Sequence, residues 1–400
     1  MKVLITTDWY LPAVNGVVTS VVNLRKELLA RGVDVRILTL ADDGVYHTEG
    51  NVLYLPSVDM SRVYPGARAR LRTDGRAVRE LIQWDPDIVH SQCEFSTFHA
   101  ARIIARACGC PQVHTYHTLY EDFIHYLVPS TLLGKRGARI LTSSVCRKVR
   151  HVIVPSEKTK ELLQRYHVKT PITCIPTGVE TDPFSEDSAE QEREQLRSRY
   201  GISREDVVLL YAGRLAMEKN LDEVLYLFSR WAAPSNKLVL VGDGPYRPEL
   251  ECLVRKLKLT DHVIFTGMIP PKDMGYYYRM GDIFVSASRS ETQGLTYFEA
   301  MACGLPLLCF DDPCLDHVLI SGKNGFAYSN EREYAESLQM LTASAALRKI
   351  LGNHGKEIVQ SNYSAGAFAE AVLNVYRQVL STRRLQGRRS FYGAASKQVG

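Results

Sequence analysis

Glu291-Thr-Gln-Gly-Leu-Thr-Tyr-Phe-Glu299, continued by Ala300-Met-Ala-Cys-Gly-Leu-Pro306, lies between two short apolar runs, Ile283–Ala287 and Pro306–Phe310. The spacing predicts a strand, a loop, a helix over Thr296–Ala302 and a second strand. Consecutive strands joined through a helix run parallel, so the stretch reads as a βαβ unit. Glu291 falls in the loop before the helix, and Glu299 comes eight residues later, about two turns along. Gly294-Leu295-Thr296 opens that helix, whose first N–H groups lack intrahelical partners and suit an anion. Glu299 sits beside an apolar run, where a buried carboxylate is costly unless hydrogen-bonded, for instance by ligand hydroxyls.

The same alternation fills the chain. Strands are expected at Val3–Thr7, Val35–Leu40, Ile88–Ser91, Gln112–His117 and His151–Pro155, with helices such as Gly16–Ala30 and Thr97–Ala107 between them. After a polar, strand-poor stretch from Asp182 to Asp206 the pattern restarts with Val207–Gly213, helix Leu221–Trp231, Lys237–Gly242 and Val263–Gly267. The expected fold class is α/β, with two doubly wound domains. Their bounds are residues 1–180, a linker at 181–205, a second domain at 206–365, and a C-terminal helix and basic tail at 366–400. Ligands of open α/β sheets sit beyond the carboxyl ends of the strands, so the expected site is a cleft between the two sheets.

Composition narrows the class. The 400 residues are 45% hydrophobic and 23% charged, which excludes a disordered or fibrous chain. No run reaches the roughly 18–20 apolar residues of a spanning helix. Met1-Lys2 passes straight into Val-Leu-Ile-Thr-Thr, so no secretory signal is expected. The nine cysteines are scattered, and Cys108-Gly-Cys110 has no second pair at zinc-like spacing, so no metal site and a reducing cytosol are expected. The net charge of +5 is unevenly spread: +6 over residues 1–180, −6 over 181–380, and five cations without an acid from 381 onward.

Other motifs fall at strand ends. Gly242-Asp-Gly-Pro-Tyr-Arg247 begins like a dinucleotide fingerprint, but Arg247 replaces the third glycine, so it reads as a tight turn near a nucleotide. Asn15-Gly16 precedes a helix, where glycine lets a phosphate approach backbone N–H groups. Arg214 and Lys219, five residues apart after Val207–Gly213, could flank a diphosphate and offset charge growing on it. Taken alone, the Asn-Gly element reads equally as a turn and the cation pair as a solvated surface. Asp85-Pro-Asp87 spells a metal-binding Asp-x-Asp, but its place just before a strand makes it a turn.

Together, Glu-x7-Glu, Gly-Arg…Glu-Lys-Asn, Gly-Asp-Gly-Pro and the N-terminal Asn-Gly loop resemble the retaining nucleotide-sugar glycosyltransferases of family 4, in the same order along nearly the whole chain. The resemblance implies the GT-B fold, two Rossmann-like domains facing across a cleft, with the donor mainly on the second. It implies Glu299 on the ribose hydroxyls and Glu291 on those of the donor sugar. Arg214 and Lys219 would hold the diphosphate, Gly16 would approach it, and Leu295 and Thr296 would donate backbone N–H groups. Met268 would face the base, beside the Gly242 turn. Retention, and metal independence with no cofactor beyond the nucleotide-sugar substrate, come with it.

Thr115-Tyr-His117-Thr-Leu-Tyr-Glu-Asp-Phe-Ile-His125, Asp87-Ile-Val-His-Ser-Gln-Cys-Glu-Phe-Ser96 and Asp311-Asp-Pro-Cys-Leu-Asp316 are similar to bacterial diacylglycerol glucosyltransferases. This implies UDP-glucose as donor and 1,2-diacylglycerol as acceptor. Another lipid, such as phosphatidylinositol or a monoglycosyl-diacylglycerol, or a soluble acceptor, stays open. His117 matches the active-site histidine of the family. His90, His99 and His125 have no such support, although His125 could line an acceptor groove.

A lipid acceptor accounts for the basic first half. The stretch Thr131–Arg150 mixes Lys135, Arg136, Arg139, Arg147, Lys148 and Arg150 with apolar residues at helical spacing, so a basic helix is expected there, and Arg68, Arg70, Arg72, Arg76 and Arg79 form a second cluster. Such segments can rest on an anionic membrane surface, each cation contributing about 1 kcal/mol; a solvated helix face is the plainer alternative. The expected location is cytoplasmic and peripheral, on the inner face of the cell membrane. Aromatics are not interleaved with the cations, so no nucleic-acid partner is expected.

Overall fold

The structure is a computed structural model that describes residues 1–61, 66–70, 75–123, 131–181, 184 and 189–395. It divides into two units: Met1–Gly178 with Gly366–Gly400, and Val179–Ala365.

The first unit holds β1 (Lys2–Thr6), β2 (Asp34–Leu40), β3 (His47–Glu49), β4 (Val52–Leu55), β5 (Val58–Asp59), β6 (Arg68–Ala69), β7 (Ile88–Ser91), β8 (Gln112–Thr115), β9 (His151–Val154) and β10 (Ile172–Cys174). The main sheet runs β10-β9-β8-β7-β1-β2-β4-β3, parallel except for the β3–β4 pair. Helices α1 (Gly16–Ala30), α2 (Arg76–Trp84), α3 (Ser96–Ala107), α4 (Tyr120–Phe123), α5 (Thr131–Cys146) and α6 (Glu157–Arg165) accompany it. Val3, Leu4 and Ile5 are all fully buried. A run without alternation is what a parallel strand covered on both faces requires.

The second unit holds α7 (Ala189–Arg199), β11 (Val207–Ala212), α8 (Leu221–Trp231), β12 (Asn236–Val241), α9 (Arg247–Lys256), β13 (Val263–Gly267), α10 (Met274–Met280), β14 (Ile283–Ser286), α11 (Leu295–Ala302), β15 (Leu307–Phe310), β16 (Gly325–Tyr328), α12 (Glu331–Ala343) and α13 (Ala345–Asn362). Its sheet runs β13-β12-β11-β14-β15-β16, all parallel. Strand order therefore reverses between β11 and β14. In the first unit it reverses between β1 and β7.

Part of the stretch expected as linker, 181–205, is the helix α7, tied into the second unit. Arg193 and Arg197 each meet Asp282 at 2.6 Å, and Arg197 also donates to the Met280 carbonyl. The last helix, α14 (Ala365–Ala395), packs Phe368, Val372 and Tyr376 against Val3, Val21, Leu24 and Val35. Tyr376 meets His90 Nδ1 at 2.7 Å while His90 Nε2 meets Thr115 Oγ1 at 2.7 Å. His90 is thus a core residue with both ring nitrogens engaged.

Candidate active site

In the second unit the loops leaving the neighbouring strands β11 and β14 are stitched together. Asn220 Nδ2 donates to the Ala287 carbonyl at 3.2 Å and Ser290 Oγ to the Glu218 carbonyl at 3.0 Å. Between them Lys219 Nζ donates to Glu291 Oε1 at 2.6 Å. Burial opposes the Lys219 charge, but Glu291 outweighs it, and the net effect holds the ammonium above its ordinary range. Lys219 ends a short 3-10 turn, Met217–Lys219, and Asn220 turns the chain in a left-handed conformation at φ 51°. This pair lies at the strand-order reversal, where doubly wound sheets bind ligands.

Gly294 closes the same loop at φ 74°, where a Cβ would come within 2.5 Å of the Tyr297 ring. Glycine there lets α11 start at Leu295, so the Leu295 and Thr296 N–H groups lie in its first turn. One turn on, Glu299 Oε2 accepts from Tyr278 Oη at 2.6 Å. Burial raises the Glu299 carboxyl above its usual range, and the Tyr278 bond partly counters this. Arg214 follows Gly213, half-buried, and Met268 follows β13 with 69% of its surface exposed. Gly242 has a structural role: at φ 134° its Cβ would stand 2.0 Å from the Gly213 carbonyl oxygen.

The first unit gathers a polar cluster at its own reversal. Gln92 Oε1 and His117 Nε2 are 2.7 Å apart. An amide oxygen only accepts, so Nε2 carries the proton and Nδ1 keeps a lone pair. Burial, then His114, pushes the His117 pKa down to about 3, so the ring is neutral. Asp8 accepts from Thr97 N at 2.8 Å; burial raises its pKa to about 6. His114 Nε2 faces Glu94 Oε1 at 3.4 Å, and Tyr120 donates to the other Glu94 oxygen. β8 ends at Thr115, two residues before the expected His117, which frees the imidazole from the sheet. Asn15 caps α1 through Val18 N at 3.0 Å, with Gly16 as the first helical residue.

Asp8, Gln92, Glu94 and His114 were not singled out by the sequence. The signal available was their position, one to three residues beyond β1 and β7 or next to the end of β8.

Two family models divide the chain: Glycosyltransferase Family 4 matches residues 14–183 and Glycosyl transferases group 1 matches 192–358. The chain belongs to glycosyltransferase family 4. The enzyme is 37% identical over 342 residues to an alpha-monoglucosyldiacylglycerol synthase of Streptococcus pneumoniae, covering 84% of this chain and 77% of that one. Against the alpha-monoglucosyldiacylglycerol synthase of Acholeplasma laidlawii it is 30% identical over 394 residues, covering 95% and 98%. Among solved structures it superposes on sucrose-phosphate synthase of Thermosynechococcus elongatus (TM-score 0.75, 21% identity, 95% and 99% covered). It also superposes on Anabaena HepE in complex with UDP-glucose (TM-score 0.74, 16% identity, 94% and 100% covered). The two doubly wound units are those of the GT-B fold.

The basic segment differs from its expected form in this glycosyltransferase. Helix α5 carries only Lys135, Arg136 and Arg139; Arg147, Lys148 and Arg150 follow its end in the turn into β9, where Lys148 N bonds to the Val145 carbonyl. All six are exposed. The second cluster is divided: Arg68 donates to Ser57 and Arg70 to the Pro56 carbonyl, and both are half-buried. Arg76 and Arg79 are exposed on α2, while Arg72 and His125 lie outside the described residues. Among the described residues no helix is long and apolar enough to cross a membrane.

Proposed function

We propose that this glycosyltransferase moves glucose from UDP-glucose to 1,2-diacylglycerol with retention of configuration, working without a metal as a peripheral protein on the cytoplasmic face of an anionic membrane. The observation that carries the reading is the Lys219–Glu291 pair at the β11/β14 reversal, on the loops that also carry Arg214 and lead into α11. The names of the Streptococcus pneumoniae and Acholeplasma laidlawii relatives favour glucose and a diacylglycerol acceptor.

In this reading the diphosphate draws Lys219 and Arg214, and Glu291 is released to the donor-sugar hydroxyls. Leu295 and Thr296 N–H groups face phosphate or sugar, Gly16 approaches the phosphate, Glu299 holds the ribose, and Met268 meets the base. As the bond from the sugar C1 to the β-phosphate oxygen breaks, charge grows on the leaving UDP and the cations stabilise it. The acceptor oxygen bonds to C1 from the same face, and its proton passes to the departing phosphate oxygen. Neutral His117, oriented by Gln92, offers its Nδ1 lone pair to a sugar hydroxyl. Exposed Lys135, Arg136, Arg139, Arg147, Lys148 and Arg150 support the membrane contact.

The test is product chromatography after incubation of radiolabelled UDP-glucose, UDP-galactose or GDP-mannose with diacylglycerol or monoglucosyl-diacylglycerol. Labelled monoglucosyl-diacylglycerol from UDP-glucose is expected. Transfer only from another donor, or only to a soluble sugar, rejects the assignment. Flotation with phosphatidylglycerol vesicles should show binding that salt weakens.

A further inference from the structure

We propose that the first unit carries a second anion site, a cavity at the amino-terminal edge of its sheet that takes a phosphate group. The cavity is about 310 Å³ and is lined by Arg102, Arg106, Lys148 and Arg150, with Pro111 and Val379 among its apolar walls. Arg102 and Arg106 come from the last turns of α3, Pro111 precedes β8, and Lys148 and Arg150 precede β9. His117 follows the opposite end of β8, a strand length of about 13 Å away. The cavity is therefore separate from the cluster around His117.

Four cations line this hollow, with no carboxylate among its described lining residues, and the charges of Arg102 and Arg106 act on one another. Like charges gathered in a concavity repel one another, and an anion relieves that repulsion. Arg102 registers it: burial, then the Arg106 charge, lowers its pKa. The side chain is also fixed in place, since Nη1 donates to the Lys148 carbonyl at 3.0 Å. Three guanidinium groups lining one hollow favour phosphate, whose oxygens match the planar fork. A flat membrane contact needs only exposed charge, whereas a hollow with a fixed Arg102 gives one phosphate group a defined place. The phosphate is either free or carried on a lipid headgroup.

The test follows the thermal unfolding midpoint of the full-length chain against inorganic phosphate and against dihexanoyl phosphatidylglycerol. Sodium chloride at matched ionic strength is the control. A saturable rise above chloride is expected, and the anion that produces it identifies the source. Arg106→Glu should weaken the response at least tenfold, while Arg106→Lys keeps most of it. Arg106 is exposed, and an unchanged midpoint of both variants in chloride verifies their folding; if Arg106→Glu fails this control, Arg102→Gln takes its place. Equal midpoints in all three solutes overturn the site, as does an unaltered response in the folded charge-removing variant. The measurement reads binding and not transfer, so it stands or falls apart from the reaction proposed above.

Discussion

Lys219 and Glu291, 72 residues apart in sequence, meet at 2.6 Å across the loops that leave β11 and β14. In the function proposed above, a cation for the diphosphate and a carboxylate for the sugar hydroxyls neutralise each other until a donor arrives. The pair holds the Lys219 ammonium above its ordinary range and aims both groups at the same place, at little cost in unpaired charge.

Replacing Lys219 with Met should therefore act twice. Turnover with UDP-glucose is expected to fall by about 10²–10³, the usual effect of losing one charge-stabilising donor. Folding stability should drop by about 1–3 kcal/mol, because Glu291 loses a charged hydrogen bond. Steady-state kinetics and urea unfolding check both. Turnover within tenfold of wild type would remove Lys219 from the mechanism.

Glu299 predicts a different signature. Its carboxyl is held by Tyr278 Oη at 2.6 Å on the first turns of α11. In Glu299→Gln the Michaelis constant for UDP-glucose should rise about 10–100-fold, matching a lost charged hydrogen bond, with kcat little changed. Tyr278→Phe should move in the same direction by less. A kcat collapse at constant KM would place Glu299 at the reacting sugar instead.

His117 and Asp8 of the first unit give opposite pH effects. His117 is held down to about 3 in the folded chain against 6.5 unfolded. As pH falls from 6.5 toward 3 the unfolded chain takes up a proton that the folded one refuses, so stability present above 6.5 is lost. Asp8, raised to about 6 from 3.8, is protonated first in the folded chain, so its contribution is lost as pH rises through 3.8 to 6. His117→Ala should flatten the midpoint's rise between pH 4 and 6.5, whereas Asp8→Asn should steepen it. Wild-type turnover should show no inflection near 6.5 that disappears in His117→Ala; finding one contradicts the neutral imidazole.

At Gly242 the prediction is purely structural. Alanine would put Cβ 2.0 Å from the Gly213 oxygen at φ 134°. Strain and forced backbone movement together should cost about 2–4 kcal/mol in urea unfolding. A variant as stable as wild type would mean that the two turns separate freely.

Much of this was legible in the sequence because apolar runs in parallel sheets are unbroken and flanked by glycine turns. The segments around Glu291 and Glu299 placed both glutamates correctly on loop and helix. β4, β10 and β16 went unread: they lie at or next to the sheet edges, where burial demands a less continuous apolar run. Asp8, Gln92 and Glu94 escaped for a different reason. Each is an ordinary polar residue after a strand, and only the order β8-β7-β1 brings them to one place. The basic stretch before β9 misled by composition, since Arg147, Lys148 and Arg150 share a charge pattern with α5 but not its helix.

The packing of Phe368, Val372 and Tyr376 on Val3, Val21 and Val35 also sets an order of assembly during synthesis. A nascent chain has released all of Val179–Ala365 before its first sheet receives the helix that covers it. At translation speeds of about 5–20 residues per second, that apolar face waits on the order of 10–40 s after Gly178 emerges. The later-made unit is thus free to fold first, and the earliest-made strands are sealed last, with chaperones the natural guardians of the interval.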